Sequence, residues 1–212
     1  MRVSIISKST DWLDTCFTAV RTCKSDKTPQ ELLETETRKR TYDDKLRLLK
    51  AVYNSKHLSV FEHAFVTFAV SDVSRTLLAQ YTRHRIGVSF SVQSQRYVSE
   101  ATGKNGGFDM VMPASIANNE TAKKAFSEGV VQAQSAYDAM IVAGVKAEDA
   151  RFILPGGACT NFVTSLNLRS LLDVYEKRAV VKGAQWEIRQ MLESMMELVK
   201  ETEPWVAELV GD

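Results

Sequence analysis

The chain has almost no net charge, little cysteine and no apolar run long enough to cross a bilayer, and each shortage narrows what it can be. With 27 basic against 26 acidic side chains in 212 residues, the formal charge is +1. A general electrostatic attraction to nucleic acid or anionic lipid is therefore not expected. Cys16, Cys23 and Cys159 are odd in number and spaced like neither a zinc ribbon nor a disulfide framework, so a reducing cytoplasmic setting fits. The N-terminus reads Met-Arg-Val-Ser-Ile-Ile-Ser and turns polar before a signal-peptide core forms. No later apolar stretch approaches the roughly 20 residues of a spanning helix, and a soluble, unexported protein is expected. Internal repeats, low-complexity tracts and interdomain linkers are lacking too, and one domain over residues 1–212 is the expectation. Neither Gly103-x-x-Gly106-Gly107 nor Gly156-Gly157 has the spacing or strand-to-helix context of a dinucleotide fingerprint or a Walker loop. A nucleotide cofactor, if one binds, sits outside a Rossmann unit.

One shortage is local. No acidic residue occurs between Asp72 and Glu100, yet this window holds Arg83-His84-Arg85 and Ser94-Gln95-Arg96-Tyr97. Arginine grips phosphate through a planar fork of parallel donors and stays charged at any working pH. Arg83, Arg85 and Arg96, interleaved with Ser89, Ser91, Gln93 and Ser94, can supply both charge and direction to a phosphorylated small molecule. A solvated basic loop is the plain alternative for the triplet taken alone.

Periodicity places the elements. Val3 to Ile6 suits a short buried strand, and Tyr42 to Tyr53 a helix packed through Leu46, Leu48, Leu49 and Val52. Lys24 to Arg40 reads as a loop with a short helix. Ala64 to Val70 is β-branched and aromatic, predicting a strand that runs at Asp72 into a helix carrying Leu77, Leu78 and Tyr81, with the Arg-His-Arg triplet at that helix's end. Gly103 to Gly107 marks a loop. Ala122 to Ile141 places Phe126, Val130, Ala133, Tyr137 and Met140 on one stripe of a scaffold helix. Phe162 to Leu166 predicts a strand, followed by helices from about Leu168 to Lys177 and, past Lys182-Gly183, one packed through Ile188, Met191, Met195 and Leu198. Without a regular βαβ alternation, the expected class is α+β, a mixed or antiparallel sheet packed by long helices.

Three further clusters are candidates for chemistry. In His57-Leu58-Ser59-Val60-Phe61-Glu62-His63, Ser59 and Glu62 have the spacing of a capping box at a helix start. Zinc is a second reading of the two histidines, but the spacing is not His-Glu-x-x-His and no further ligand set accompanies them, so no metal is expected. Asn167, Arg169, Asp173 and Arg178 form the next cluster. At 3.6 residues per turn Arg178 shares a face with Leu171 and Val174, and a buried arginine is costly unless paired. Either an internal carboxylate neutralises it, or it emerges into a pocket that an anionic ligand fills. Arg169 lies close to half a turn out of phase with Arg178, which points to different ligands or different subunits. Arg151, in Arg151-Phe152-Ile153-Leu154-Pro155, is either a surface arginine at a helix end or another ligand contact.

Taken in order, His57-x-Ser59-x-Phe61-Glu62-His63, Gln80-x-x-Arg83-His84-Arg85, Ser94-Gln95-Arg96-Tyr97, Arg151-x-x-Leu154-Pro155, Asn167-x-Arg169-Ser170-Leu171, and Arg178-Ala179 with Ala184-Gln185-Trp186-Glu187 resemble the flavin-dependent thymidylate synthases. The match runs from His57 to Glu187 with near-family spacing. The resemblance implies an FAD enzyme that methylates dUMP to dTMP, with methylenetetrahydrofolate as one-carbon donor and NADPH reducing the flavin. It implies flavin contacts at His57, Ser59, Arg83, His84, Arg85, Asn167 and Arg169, and dUMP contacts at Gln80, Ser94, Gln95, Arg96, Arg151 and Arg178. Arg178 is expected to steady negative charge on the uracil ring, and Ser94 to touch dUMP at the reacting centre without attacking it, because a serine with no adjacent base is a poor nucleophile. Cys23 and Cys159 are not expected to act as nucleophiles. A homotetramer with sites shared between subunits is implied as well.

Two features depart from the family pattern. Eight residues separate Arg85 from Ser94 where seven are commoner, and Val92 stands where many members have an acid. Ser25 is a further flavin candidate near the N-terminus. Outside the resemblance, the alternative from another class is a nonenzymatic nucleic-acid-binding module using Arg83 to Arg96, which predicts a broad basic surface and a steep loss of affinity with salt.

Overall fold

The structure, a computed structural model, describes residues 1–210. In chain order the strands and helices are β1 (Arg2–Lys8), α1 (Trp12–Thr22), α2 (Pro29–Thr35), α3 (Tyr42–Asn54), β2 (Phe65–Ser74), α4 (Arg75–Tyr81), β3 (Val88–Val92), α5 (Thr102–Asn105), α6 (Ala114–Ala117), α7 (Glu120–Val142), α8 (Ala147–Ala150), β4 (Cys159–Asn167), α9 (Leu168–Tyr175), α10 (Trp186–Thr202) and α11 (Pro204–Val210). A 3₁₀ turn spans Leu58–His63, another spans Arg151–Ile153, and a π-helical turn, Glu176–Val180, follows α9. The strands form one sheet in the order β1-β2-β4-β3.

Side-chain and backbone bonds across the sheet give its register. Ser9 N donates to Phe65 O at 2.9 Å, while Arg2 meets Asp72, also at 2.9 Å. Between β2 and β4, Thr67 meets Ser165 at 2.8 Å and Asp72 N donates to Asn161 Oδ1 at 3.0 Å. Gln93 N donates to Asn161 O at 2.8 Å and Thr164 Oγ1 to Ser89 O at 2.9 Å. In each pair one number rises as the other falls, so every neighbour is antiparallel and the fold is α+β, as expected.

The chain divides into two compact units. The first comprises Met1–Arg2, Val70–Arg83 and Phe90–Val163. Its aromatic core stacks Tyr81 on Phe162 with ring centroids 5.5 Å apart, and a second cluster gathers Ala101, Tyr137 and Ala150. The second unit comprises Val3–Ala69, His84–Ser89 and the chain from Thr164 onward. There Trp12, Phe61, Ile188, Met191 and Trp205 are buried, and Phe61 stacks on Trp205 at 6.4 Å. Full burial of such a side chain stabilises by about 1.5–3 kcal/mol.

Several sequence expectations need correction. The strand at Val3 to Ile6 forms, but at a sheet edge with alternating exposure, and Ile6 is 56% exposed. The second strand does not turn into a helix at Asp72. It continues to Ser74, whose side chain accepts from Leu77 N at 2.9 Å and caps α4. The loop at Gly103 to Gly107 contains α5, which Gly106 ends at φ +79. Along α7 the predicted stripe is present, but only Tyr137 is buried. Polar contacts hold the rest: Gln134 bonds Phe108 N and Glu100 O, and Asp138 bonds Thr102. On α10, Ile188, Met191 and Met195 are buried as expected, with Leu198 half-buried.

Candidate active site

In the second unit β4 ends at Asn167, whose Oδ1 accepts from Ser170 N at 2.8 Å and caps α9. Leu168 N donates to Ala64 O at 2.8 Å, which fixes the entry of the helix. Arg169, on the first turn, pairs with Glu62. Both side chains are near half exposed, 47% and 44%, so the pair adds little stability and stays within reach of a ligand.

Arg169 borders two cavities. One, of about 380 Å³, is also lined by Tyr53, Glu62, Ile86, Gly87 and Asn167. The other, of about 430 Å³, is lined by Val20, Cys23, Lys24, His57 and Ser59. Lys56 and Leu58 line both. A larger cavity of about 770 Å³ runs along α1 and α2 to His63 and holds none of the predicted site residues, so size alone does not locate the site.

The chain after the basic triplet is seated on α9. Ser170 Oγ donates to Ile86 O at 3.0 Å. Gly87 has φ +66, and a Cβ there would lie 2.2 Å from Ser170 Oγ and 2.9 Å from Asn167 Nδ2. Only glycine satisfies both the angle and the space. Ile86 is left 92% exposed beside the 380 Å³ cavity. Arg85 is exposed and His84 half-buried.

Two readings of the polar clusters change here. Ser59 and Glu62 form no capping box: the segment is a 3₁₀ turn begun at His57 with no side-chain cap, and Glu62 is turned to Arg169. Arg178 is not on the buried face of α9. An α-helix ends at Tyr175 and the π turn that follows shifts the phase, leaving Arg178 half-buried. Its partner is not a carboxylate either, because Nε donates to His84 Nε2 at 2.9 Å.

In the first unit the segment after β3 folds into a turn. Tyr97 N and Val98 N donate to Ser94 O, and Arg96 N donates to Ser94 Oγ at 3.2 Å. Glu148 joins two predicted residues, its carboxylate meeting Arg96 at 2.7 Å and its carbonyl accepting from Arg151 Nε at 2.9 Å. Gln80 and Gln95 are half-buried, and Arg83 is exposed. Arg75 enters from α4, donating from Nη2 to Gln93 O at 2.9 Å, while its buried Nε has no partner among the described residues. Burial holds that guanidinium below the ordinary arginine range, against the charge of Glu100 and with that of Arg151. Burial likewise lifts the Glu100 carboxyl above the usual carboxylate range, opposed by Gln95 and Arg75. The extra residue between Arg85 and Ser94 falls in a segment that includes β3, where Val92 is half-buried strand. Ser25, on the other unit, accepts from Lys27 N at 3.2 Å.

Among the described residues, no three His, Cys, Asp or Glu side chains gather as metal ligands, and no helix is long and apolar enough to cross a membrane. Cys16, buried in α1, has its thiol pushed up to about 12 by desolvation and then by the charge of Glu203, which makes it inert.

The chain matches the family described as thymidylate synthase complementing protein over residues 4–205. It is 35% identical to the flavin-dependent thymidylate synthase of Geobacter sulfurreducens over 206 residues, 97% of this chain and 85% of that one. It is 40% identical to the protein of that name from Haloarcula marismortui over 177 residues, covering 74% and 71% of the two chains. For that of Nitratidesulfovibrio vulgaris the figures are 41% over 164 residues, 74% and 64%. The chain belongs to the flavin-dependent thymidylate synthase family.

Within this family member, the predicted flavin residues His57, Ser59, Asn167 and Arg169 line adjoining cavities of one unit, and Ser94, Arg96 and Arg151 are tied together in the other. Sequence reading missed Lys56, Glu62 as the partner of Arg169, Arg75 and Glu148. The only available signal was weak: Arg75 follows a Ser with the character of a helix cap, and Glu62 lies inside a motif already singled out.

Proposed function

We propose that the chain methylates dUMP to dTMP, with methylenetetrahydrofolate as one-carbon donor, FAD as cofactor and NADPH as the source of reducing equivalents. The observation that carries this reading is the pair of cavities that meet at Lys56, Leu58 and Arg169. A dinucleotide cofactor needs adjoining compartments for its two ends and cationic donors between them for the pyrophosphate, and the shared wall supplies two cations. Exposed Ile86 offers apolar surface to a ring, and the glycine at 87 keeps the chain close to α9. His57, Ser59, Asn167 and Arg169 hold the flavin, with Arg83, His84 and Arg85 beside it. When bound, the flavin supplies the hydride and one-carbon chemistry that side chains lack.

Gln80, Ser94, Gln95, Arg96, Arg151 and Arg178 hold dUMP. The arginines bind its phosphate and polarise its base, and Arg178 meets the negative charge that develops on the uracil ring. Ser94 orients the nucleotide. The whole chain acts as one catalytic domain, in the cytoplasm, within a homotetramer whose sites are shared between subunits; the half-buried stripe of Phe126, Val130 and Ala133 on α7 supports such association. The test is the visible spectrum of the purified protein, with chromatography of the released flavin and an assay of dTMP from dUMP. Bound FAD and dTMP formation dependent on methylenetetrahydrofolate and NADPH are expected. A protein that stays colourless after incubation with FAD and forms no dTMP would refute the reading.

A further inference from the structure

We propose that His84 is a positioning residue that sets the plane of the Arg178 guanidinium and leaves its positive charge whole. The inference rests on the reading above, in which Arg178 contacts the nucleotide. Its basis is the bond from Arg178 Nε to His84 Nε2, 2.9 Å long, between residues 94 positions apart in the chain. An imidazole nitrogen that accepts a hydrogen bond is unprotonated, so the ring is neutral and carries its proton on Nδ1. Two other arginines of the candidate site are treated differently: Arg169 is neutralised by Glu62 and Arg96 by Glu148. Among the described residues no carboxylate lies within ion-pair distance of Arg178.

The geometry of the bond matters as much as its charge. The Nε–H bond and the Nε–Cδ bond both lie in the plane of the guanidinium, so fixing the first while the chain holds the second fixes the plane and the aim of the two Nη groups. An arginine without such a bond spreads over many rotamers. Both partners are anchored to one frame. Arg178 lies in the π turn that continues α9, and π turns are rare insertions that recur at functional sites. His84 lies two residues before Ile86, whose carbonyl is held by Ser170 Oγ of α9, and Gly87 permits that close approach. Arg83 and Arg85 are exposed while His84 between them is half-buried, so the triplet turns its middle residue to a different task from its two arginines.

The test compares His84→Leu with His84→Gln in FAD-loaded protein, reading dTMP turnover, dUMP affinity by calorimetry and the flavin-to-protein ratio. At saturating FAD, His84→Leu should lower kcat about tenfold or more, the scale of losing a preorganised donor's alignment, and weaken dUMP binding less. Glutamine, whose side-chain oxygen also accepts from Nε–H, should recover most of the loss. In Arg178→Ala the further change His84→Leu should add almost nothing. The inference is overturned if glutamine is no better than leucine, or if the two changes multiply. A parent that neither binds dUMP nor forms dTMP would sink the functional reading and this inference together, whereas an active parent with independent variants sinks only the role of His84.

Discussion

The two places where a strand runs into a helix are built alike and used differently. At the end of β2, Ser74 caps α4 through Leu77 N, and Arg75 N donates to Ala158 O. At the end of β4, Asn167 caps α9 through Ser170 N, and Leu168 N donates to Ala64 O. Each helix then presents an arginine from its first turn. Arg169 stands half in solvent, neutralised by Glu62, between two cavities. Arg75 is half-buried, bonded to a backbone carbonyl, with its Nε unpartnered among the described residues. The same local construction thus gives one exposed, exchangeable cation and one held inside. What separates them is whether the neighbouring segment brings a carboxylate within reach, since Glu62 pairs with Arg169 while Glu100 acts on Arg75 only at longer range.

The largest effect that would sharpen this contrast is on flavin binding. Arg169→Ala should weaken FAD affinity about ten- to a hundredfold, the scale of a hydrogen bond to a charged group, while Arg75→Ala leaves it nearly unchanged and weakens dUMP binding instead. Fluorescence titration of the apoprotein with FAD decides the matter. Equal losses in the two variants would erase the distinction.

A smaller effect tests the shared construction. Ser74→Ala and Asn167→Ala should each lower stability by about 1 kcal/mol, as loss of an N-cap does. Chemical denaturation of the two proteins should therefore give similar shifts, with only Asn167→Ala also reducing bound flavin. A stable Ser74→Ala protein would break the equivalence of the junctions.

The smallest effect concerns pH. The Glu100 carboxyl is raised, chiefly by burial, so the folded state favours its neutral form. The resulting stability is fully present below the ordinary carboxylate pKa and is lost as pH rises through the higher folded value. Glu100→Gln, which mimics the neutral form, should flatten that arm in thermal melts taken from about pH 4 to 7. An unchanged pH dependence would remove Glu100 from the surroundings of Arg75.

Much of this was legible in order along the chain. Strands at Ala64 to Val70 and Phe162 to Leu166, and the helices at Tyr42, Ala122 and past Gly183, follow from apolar periods of two and 3.6, because side-chain direction repeats with the backbone. His57, Ser59, Asn167 and Arg169 were picked out as polar groups in motifs, and they line the same pair of cavities. Arg75 and Glu148 carried no motif, since a single charged residue looks alike at a surface and beside a ligand. The capping box failed because its spacing presumes an α-helical turn, and the chain there winds as 3₁₀.

By itself, then, the sequence determined the class of the elements, the basic window free of acids, and the ordered motifs that mark the family, all of which depend on residues near one another in the chain. Tertiary structure alone decided the rest. That β1 lies at an edge depends on strand order, and so does the exposure of Ile6. Whether an arginine's charge is balanced depends on which distant group folds against it: Glu62 for Arg169, Glu148 for Arg96, and His84, which is no carboxylate, for Arg178. Such pairings are set by packing across long stretches of chain, and electrostatic interaction falls with distance in space, not in sequence.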